Sequence, residues 1–97
     1  MIISFSDEGT KDVFDGKRSK KASKSCPATI HRVTVRKLDM LNQAEFLDDL
    51  RSPPGNRLEV RRADRKGQHS IRINNQYRIC FVWMKNGPSH VEIIDYH

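Results

Sequence analysis

The sequence is poor in the residues from which most catalytic centres are assembled. It has two cysteines, Cys26 and Cys80, and no CxxC pair. One lies in a Lys/Ser stretch and the other in an apolar pattern, so both are expected as reduced thiols of a cytoplasmic protein. The histidines at 31, 69, 90 and 97 show no metal-ligand spacing, which argues against a zinc site. A glycine-rich phosphate loop, a GxSxG elbow and internal repeats are all absent. No cofactor is expected. No run approaches the roughly 20 apolar residues of a membrane span. The opening "MIISFSDEGT" lacks the basic and apolar regions of a signal peptide, so no membrane association is expected.

What is plentiful is positive charge. The chain has 97 residues, 36% of them hydrophobic and 31% charged, with a net charge of +6. That length makes one domain with a small core. That charge favours an anionic partner, most commonly nucleic acid. Acids are missing altogether from Lys17 to Lys37, a stretch with eight Lys or Arg.

The patterns change along the chain. "MIISF" alternates and reads as a first strand. Ser6 is placed to cap a short helix that Gly16 stops. "KRSKKASKSCP", residues 17–27, reads as a flexible basic loop. Residues 28–50 carry Ile30, Val33, Val35, Leu38 and Leu41 at helical spacing, with Arg32, Arg36 and Lys37 mainly on other faces. A second helical turn is expected around Phe46–Leu50, ended by "SPPG".

From Asn56 the period becomes two. Four strands are expected at Arg57–Arg61, Gln68–Ile73, Tyr77–Met84 and Ser89–Ile94. If Ile71, Ile73, Tyr77, Ile79, Phe81 and Trp83 share a face, the first hairpin needs a three-residue loop, 74–76. That pairs Ile71 with Ile79 and Arg72 with Arg78. The same logic places the next loop at 86–88, pairing Trp83 with Val91 and Phe81 with Ile93, and setting Arg78 opposite Tyr96. The other face then carries Ser70, Arg72, Arg78, Cys80, His90 and Glu92. Facing arginines repel. Such a face is either simply solvated or a concave cationic surface suited to phosphate.

Three segments together, Ala63-Asp64-Arg65-Lys66-Gly67-Gln68-His69-Ser70-Ile71, Tyr77-Arg78-Ile79-Cys80-Phe81 and Asp95-Tyr96-His97, resemble the HigB branch of the RelE/ParE superfamily of bacterial type II toxins. "MIISF" matches too, and residues 17–27 match least. The resemblance implies an α+β, RelE-like fold: a small, mostly antiparallel sheet of about five strands with two to three helices on one face. It implies a ribosome-dependent mRNA endonuclease. Its partners would be the ribosome, mRNA and a HigA-like helix-turn-helix antitoxin, with operator DNA bound only through the antitoxin complex.

Metal-free RNA cleavage needs a base for the 2′-OH, cations for the phosphorane and an acid for the 5′-oxygen. His97, whose unperturbed pKa is about 6.5, is the expected acid or base. Asp95 would orient it or act as base. Tyr96 would stack on a base or bond a phosphate oxygen. Arg78 leads the phosphate contacts, with Arg62 in support. Arg72, Arg65, Lys66, Arg32, Arg36 and Lys37 are the expected RNA contacts. Relatives carry H-P-L-K-G-D where this chain has Glu59-Val60-Arg61-Arg62-Ala63-Asp64. Arg62 aligns with the lysine but stays charged, so altered activity is expected. Two other classes stay open: a ParE-like inhibitory binder of gyrase, and a non-enzymatic basic RNA-binding protein.

Overall fold

The computed structural model describes residues 1–61 and 65–96. Three α-helices come first: α1 (Glu8–Asp15), α2 (Lys20–Ser25) and α3 (His31–Gln43). A 3-10 turn at Ala28–Ile30 leads into α3, and two more at Leu47–Arg51 and Pro54–Asn56 connect α3 to the sheet. The sheet is antiparallel, in the order β1 (Glu59–Val60), β2 (His69–Arg72), β3 (Tyr77–Met84), β4 (Gly87–Asp95). Val13, Leu38 and Leu41 from the helices meet Ile71, Ile79, Phe81 and Val91 in one core, all nearly or fully buried. The α+β architecture is as expected. Among the described residues no helix is long and apolar enough to cross a membrane.

Several sequence expectations are corrected. Asp7, not Ser6, caps α1, its carboxylate accepting from the Thr10 amide at 2.9 Å. An aspartate there also meets the positive end of the helix dipole, and Ser6 Oγ bonds the His90 carbonyl instead. Gly16 does end α1, with φ 78. The 17–27 stretch, read as a loop, holds helix α2. Ser19 caps it, Ala22 and Cys26 are buried beneath it, and Ser19 Oγ donates to Asp12 at 2.6 Å. A short polar helix of this kind is held by packing rather than propensity. Gly9 makes the packing possible, because a Cβ there would lie 2.5 Å from the Lys21 carbonyl and run into Ser25 Oγ. Gly9→Ala is therefore expected to destabilise by about 1–3 kcal/mol, read as a lowered urea midpoint.

The long helix is also shorter than expected, and "MIISF" is not a strand. The first residues run alongside β4 and form one parallel bridge, Phe5 to Val91. Ser4 replaces part of a ladder with side-chain bonds, accepting from the His90 amide and meeting Ser89 Oγ, each at 2.9 Å. Among the described residues four strands form where about five were expected.

The 74–76 loop and its register hold, with Ile71 opposite Ile79 and Arg72 opposite Arg78. The β3–β4 register does not. The turn has two residues, 85–86, and Met84 pairs with Gly87. Pairing then jumps from Val82–Ser89 to Cys80–Glu92, so Phe81 faces both His90 and Val91. His90 takes φ 53 at this bulge. An even loop plus one bulged residue restores the parity that an unbroken ladder would get from an odd loop. Ile93 therefore pairs with Ile79 and Ile94 with Arg78, two positions from the expected register. Beyond the bulge, from Val91 to Asp95, each residue keeps its expected face, whereas Ser89, opposite Val82, does not.

Candidate active site

The face turned away from the helices is built by alternation. Glu59 pairs with Ser70, Ser70 with Cys80, and Cys80 with Glu92. The Arg61 amide donates to the Gln68 carbonyl at 2.7 Å, which extends the β1 ladder and brings Arg61 to the same side. Ser70 and Cys80 are fully buried under the longer side chains around them.

Arg78 is the centre of this face. Only 8% of it is exposed. Its Nη1 donates to the Tyr77 carbonyl at 3.2 Å and to the Asn74 carbonyl in the β2–β3 turn. Its guanidinium lies 4.5 Å from the centre of the Tyr96 ring, and that of Arg61 lies 4.6 Å from the same ring. The ring and two cations thus form one cluster. Burial, then the nearby Arg72, pushes the Arg78 pKa below the usual arginine value, and Glu59 opposes. Arginine remains charged after such a shift. A charge so placed and so little hydrated acts strongly on an approaching anion.

Arg65 reaches across the face to Glu92 at 3.0 Å, so its charge is partly matched. Lys66 is exposed beside it. Arg72 bonds Asn75 at the turn. Asp95 pairs across strands with Tyr77, on the other side from Arg78, and accepts from Gln76 Nε2 at 3.1 Å. Burial raises the Cys80 thiol pKa despite the nearby Arg65 and Arg61, which makes Cys80 a packed residue rather than a nucleophile.

Three residues expected at the RNA surface lie on α3, in the other layer. Arg32 and Arg36 are exposed there. Lys37 is not on the surface: it is 6% exposed and its ammonium bonds the buried Asn56 side chain. Arg62 and His97 lie outside the described residues. The sequence reading missed Arg61, whose Nε is buried with no acceptor among the described residues. The signal was present: Glu59 and Arg61 alternate about Val60 and share the parity of Ser70.

The family model described as the RelE-like toxin of the type II toxin–antitoxin system HigB matches residues 3–97. The chain belongs to the HigB-like toxin family. It is 37% identical to Toxin HigB-1 of Vibrio cholerae over 84 residues, covering 87% of this chain and 85% of that one. It is 42% identical to an uncharacterized Haemophilus influenzae protein over 60 residues, covering 62% and 59%. The fold of this HigB-like chain is shared by a chain in the structure of the YoeB–YefM complex from Staphylococcus aureus, with TM-score 0.60 and 18% identity, over 100% of this chain and 95% of that one. It is thus a type II toxin of the RelE superfamily, a class whose members work beside an antitoxin.

Proposed function

We propose that this toxin cleaves mRNA on the ribosome, with the RNA 2′-OH as nucleophile and no metal. The observation that carries the reading is the pair of guanidinium groups, Arg78 and Arg61, set on the Tyr96 ring. The 2′-oxygen bonds to phosphorus as its proton leaves to a base. The P–O5′ bond breaks as the 5′-oxygen takes a proton from an acid. Arg78, held by two backbone carbonyls, stabilises the charge on the phosphorane without reorganising. Tyr96, 42% exposed, offers its free surface to a base or a phosphate oxygen. His97 acts as acid or base, and Asp95 orients it or takes the first proton. Arg62, Arg65, Lys66 and Arg72 guide the strand, while Arg32 and Arg36 on the other layer meet ribosomal RNA. A HigA-like antitoxin neutralises the toxin in the cytoplasm and carries the pair to operator DNA.

Arg61 stands where the family pattern has leucine, and it adds a cation that compensates for the missing lysine at Arg62. Arg61→Leu is expected to raise KM about tenfold with kcat little changed, as for a phosphate contact made equally in ground and transition states. Steady-state cleavage of a short mRNA on programmed ribosomes checks this.

The test of the whole reading is primer extension on mRNA incubated with the toxin, with and without ribosomes, beside His97→Ala. Cuts that need both ribosomes and His97 support it. Absence of cuts at concentrations that still stop growth replaces it with an inhibitory binder.

A further inference from the structure

The helical layer carries its own concentration of positive charge. Lys17 and Arg18 leave the end of α1, and His31 and Arg32 begin α3; with α2 they enclose a cleft of about 310 Å3. Ala22 and Cys26 form its buried floor. Both belong to the core on the helical side of the sheet, so the sheet separates this cleft from the Arg78–Tyr96 cluster. The cleft exists because α2 packs on α1.

No carboxylate lines it, and the acids of the α1 region are turned to other partners. Asp7 holds Thr10 and Ser25, Glu8 pairs with Lys21, Asp12 accepts from Ser19, and Asp15 pairs with Lys11 at 2.8 Å. Lys17 is only the weakest of the influences on Glu8. Among the described residues, no ion pair or side-chain hydrogen bond engages Arg18, His31 or Arg32. Three permanent charges therefore face one concavity with no carboxylate in its lining. Guanidinium forks suit phosphate oxygens. His31 beside small apolar walls offers the kind of surface on which a base rests. The volume lies at the small end of ligand sites, enough for one nucleotide unit. Burial raises the Cys26 thiol pKa, so the floor is inert and the cleft binds rather than reacts.

We propose that this cleft binds the phosphate of a nucleotide, either free or as a unit of an RNA strand. This goes beyond the cleavage site and does not depend on it. Two probes separate the sources: AMP, followed by amide chemical shifts, and a fluorescent ten-nucleotide DNA strand, followed by anisotropy. The DNA has no 2′-OH and cannot be cut. AMP shifts confined to the region of Lys17 to Arg32 identify a free-nucleotide site. Cleft-dependent binding of the strand alone identifies a strand-phosphate site. In either case Arg18→Glu with Arg32→Glu weakens binding by about tenfold or more and lowers the salt slope by about 1–2. Ser23→Trp, which plugs the cleft and leaves its charge intact, weakens binding likewise, with circular dichroism confirming the fold. Arg78→Gln leaves cleft binding in place. The proposal is overturned if neither probe binds the parent protein at low salt. It is equally overturned if both cleft variants bind as the parent does, or if only Arg78→Gln abolishes binding.

Discussion

Arg78→Gln is expected to lower kcat for ribosome-dependent cleavage by about 10²–10³-fold, the effect of removing one preorganised charge stabiliser from a transition state. Glutamine keeps an amide donor but is two atoms shorter than the guanidinium that now bonds the Asn74 and Tyr77 carbonyls. An unchanged melting temperature is therefore what lets the loss be read as chemistry rather than as loosening of the β2–β3 turn. Arg78→Lys is expected to lose about tenfold, because an ammonium keeps the charge but cannot hold two carbonyls and a phosphate in one plane. The ordering Arg over Lys over Gln is the signature of a charged fork at the phosphate. Single-turnover cleavage on ribosomes, with melting temperatures alongside, measures it. If the Gln variant stays within about threefold of the parent, Arg78 is a structural tie of the turn and the phosphate is held elsewhere.

This cluster was legible in the sequence because parity survives errors of register. The expected β3–β4 pairing was wrong by two positions, yet Arg78 and Tyr96 stayed on the face with Cys80 and Glu92. The bulge itself was not legible. His90 is an ordinary residue at φ 53, held there by bonds from Ser4, whose distance along the chain no local pattern reports. Helix α2 was hidden for a related reason. Its sequence is polar, and its stability comes from the close approach at Gly9 and from two buried anchors, Ala22 and Cys26. Arg61 is hard to single out because the family pattern has leucine there and the conspicuous lysine at the next position. Lys37 shows that charge does not guarantee exposure. Its partner, Asn56, arrives from nineteen residues further along the chain.

That buried lysine leads to the largest stability effect expected here. Asn56 is fully buried, and its Nδ2 donates to the carbonyls of Leu50 at 3.1 Å and Ser52 at 3.3 Å. Its Oδ1 accepts from Lys37, for which no carboxylate partner is found among the described residues. Asn56→Leu keeps the volume but strands an ammonium and two carbonyls. The expected cost is about 3 kcal/mol, the scale for a buried charge that loses its acceptor. For a chain of this size that is a fall in Tm of roughly 12–24 °C. Lys37→Met removes the charge and its burial penalty together, so its cost is expected to stay below about 1 kcal/mol, and the double variant should recover at least half of the Asn56→Leu loss. The pH dependence has a definite sign. Burial first, then Arg36 and Arg72, hold the Lys37 pKa below its ordinary value. Between that lowered value and the unfolded value of about 10.4, the unfolded chain binds more protons, so stability rises with pH. Below that window both states carry the proton and the full penalty is present. The Lys37→Met variant lacks this rise, so the stability of the parent relative to it should climb through the alkaline range. Urea midpoints of the two proteins, measured in parallel, give that difference with the other titrating groups cancelled. A flat difference would mean that the ammonium reaches water and that Asn56 does not enclose it.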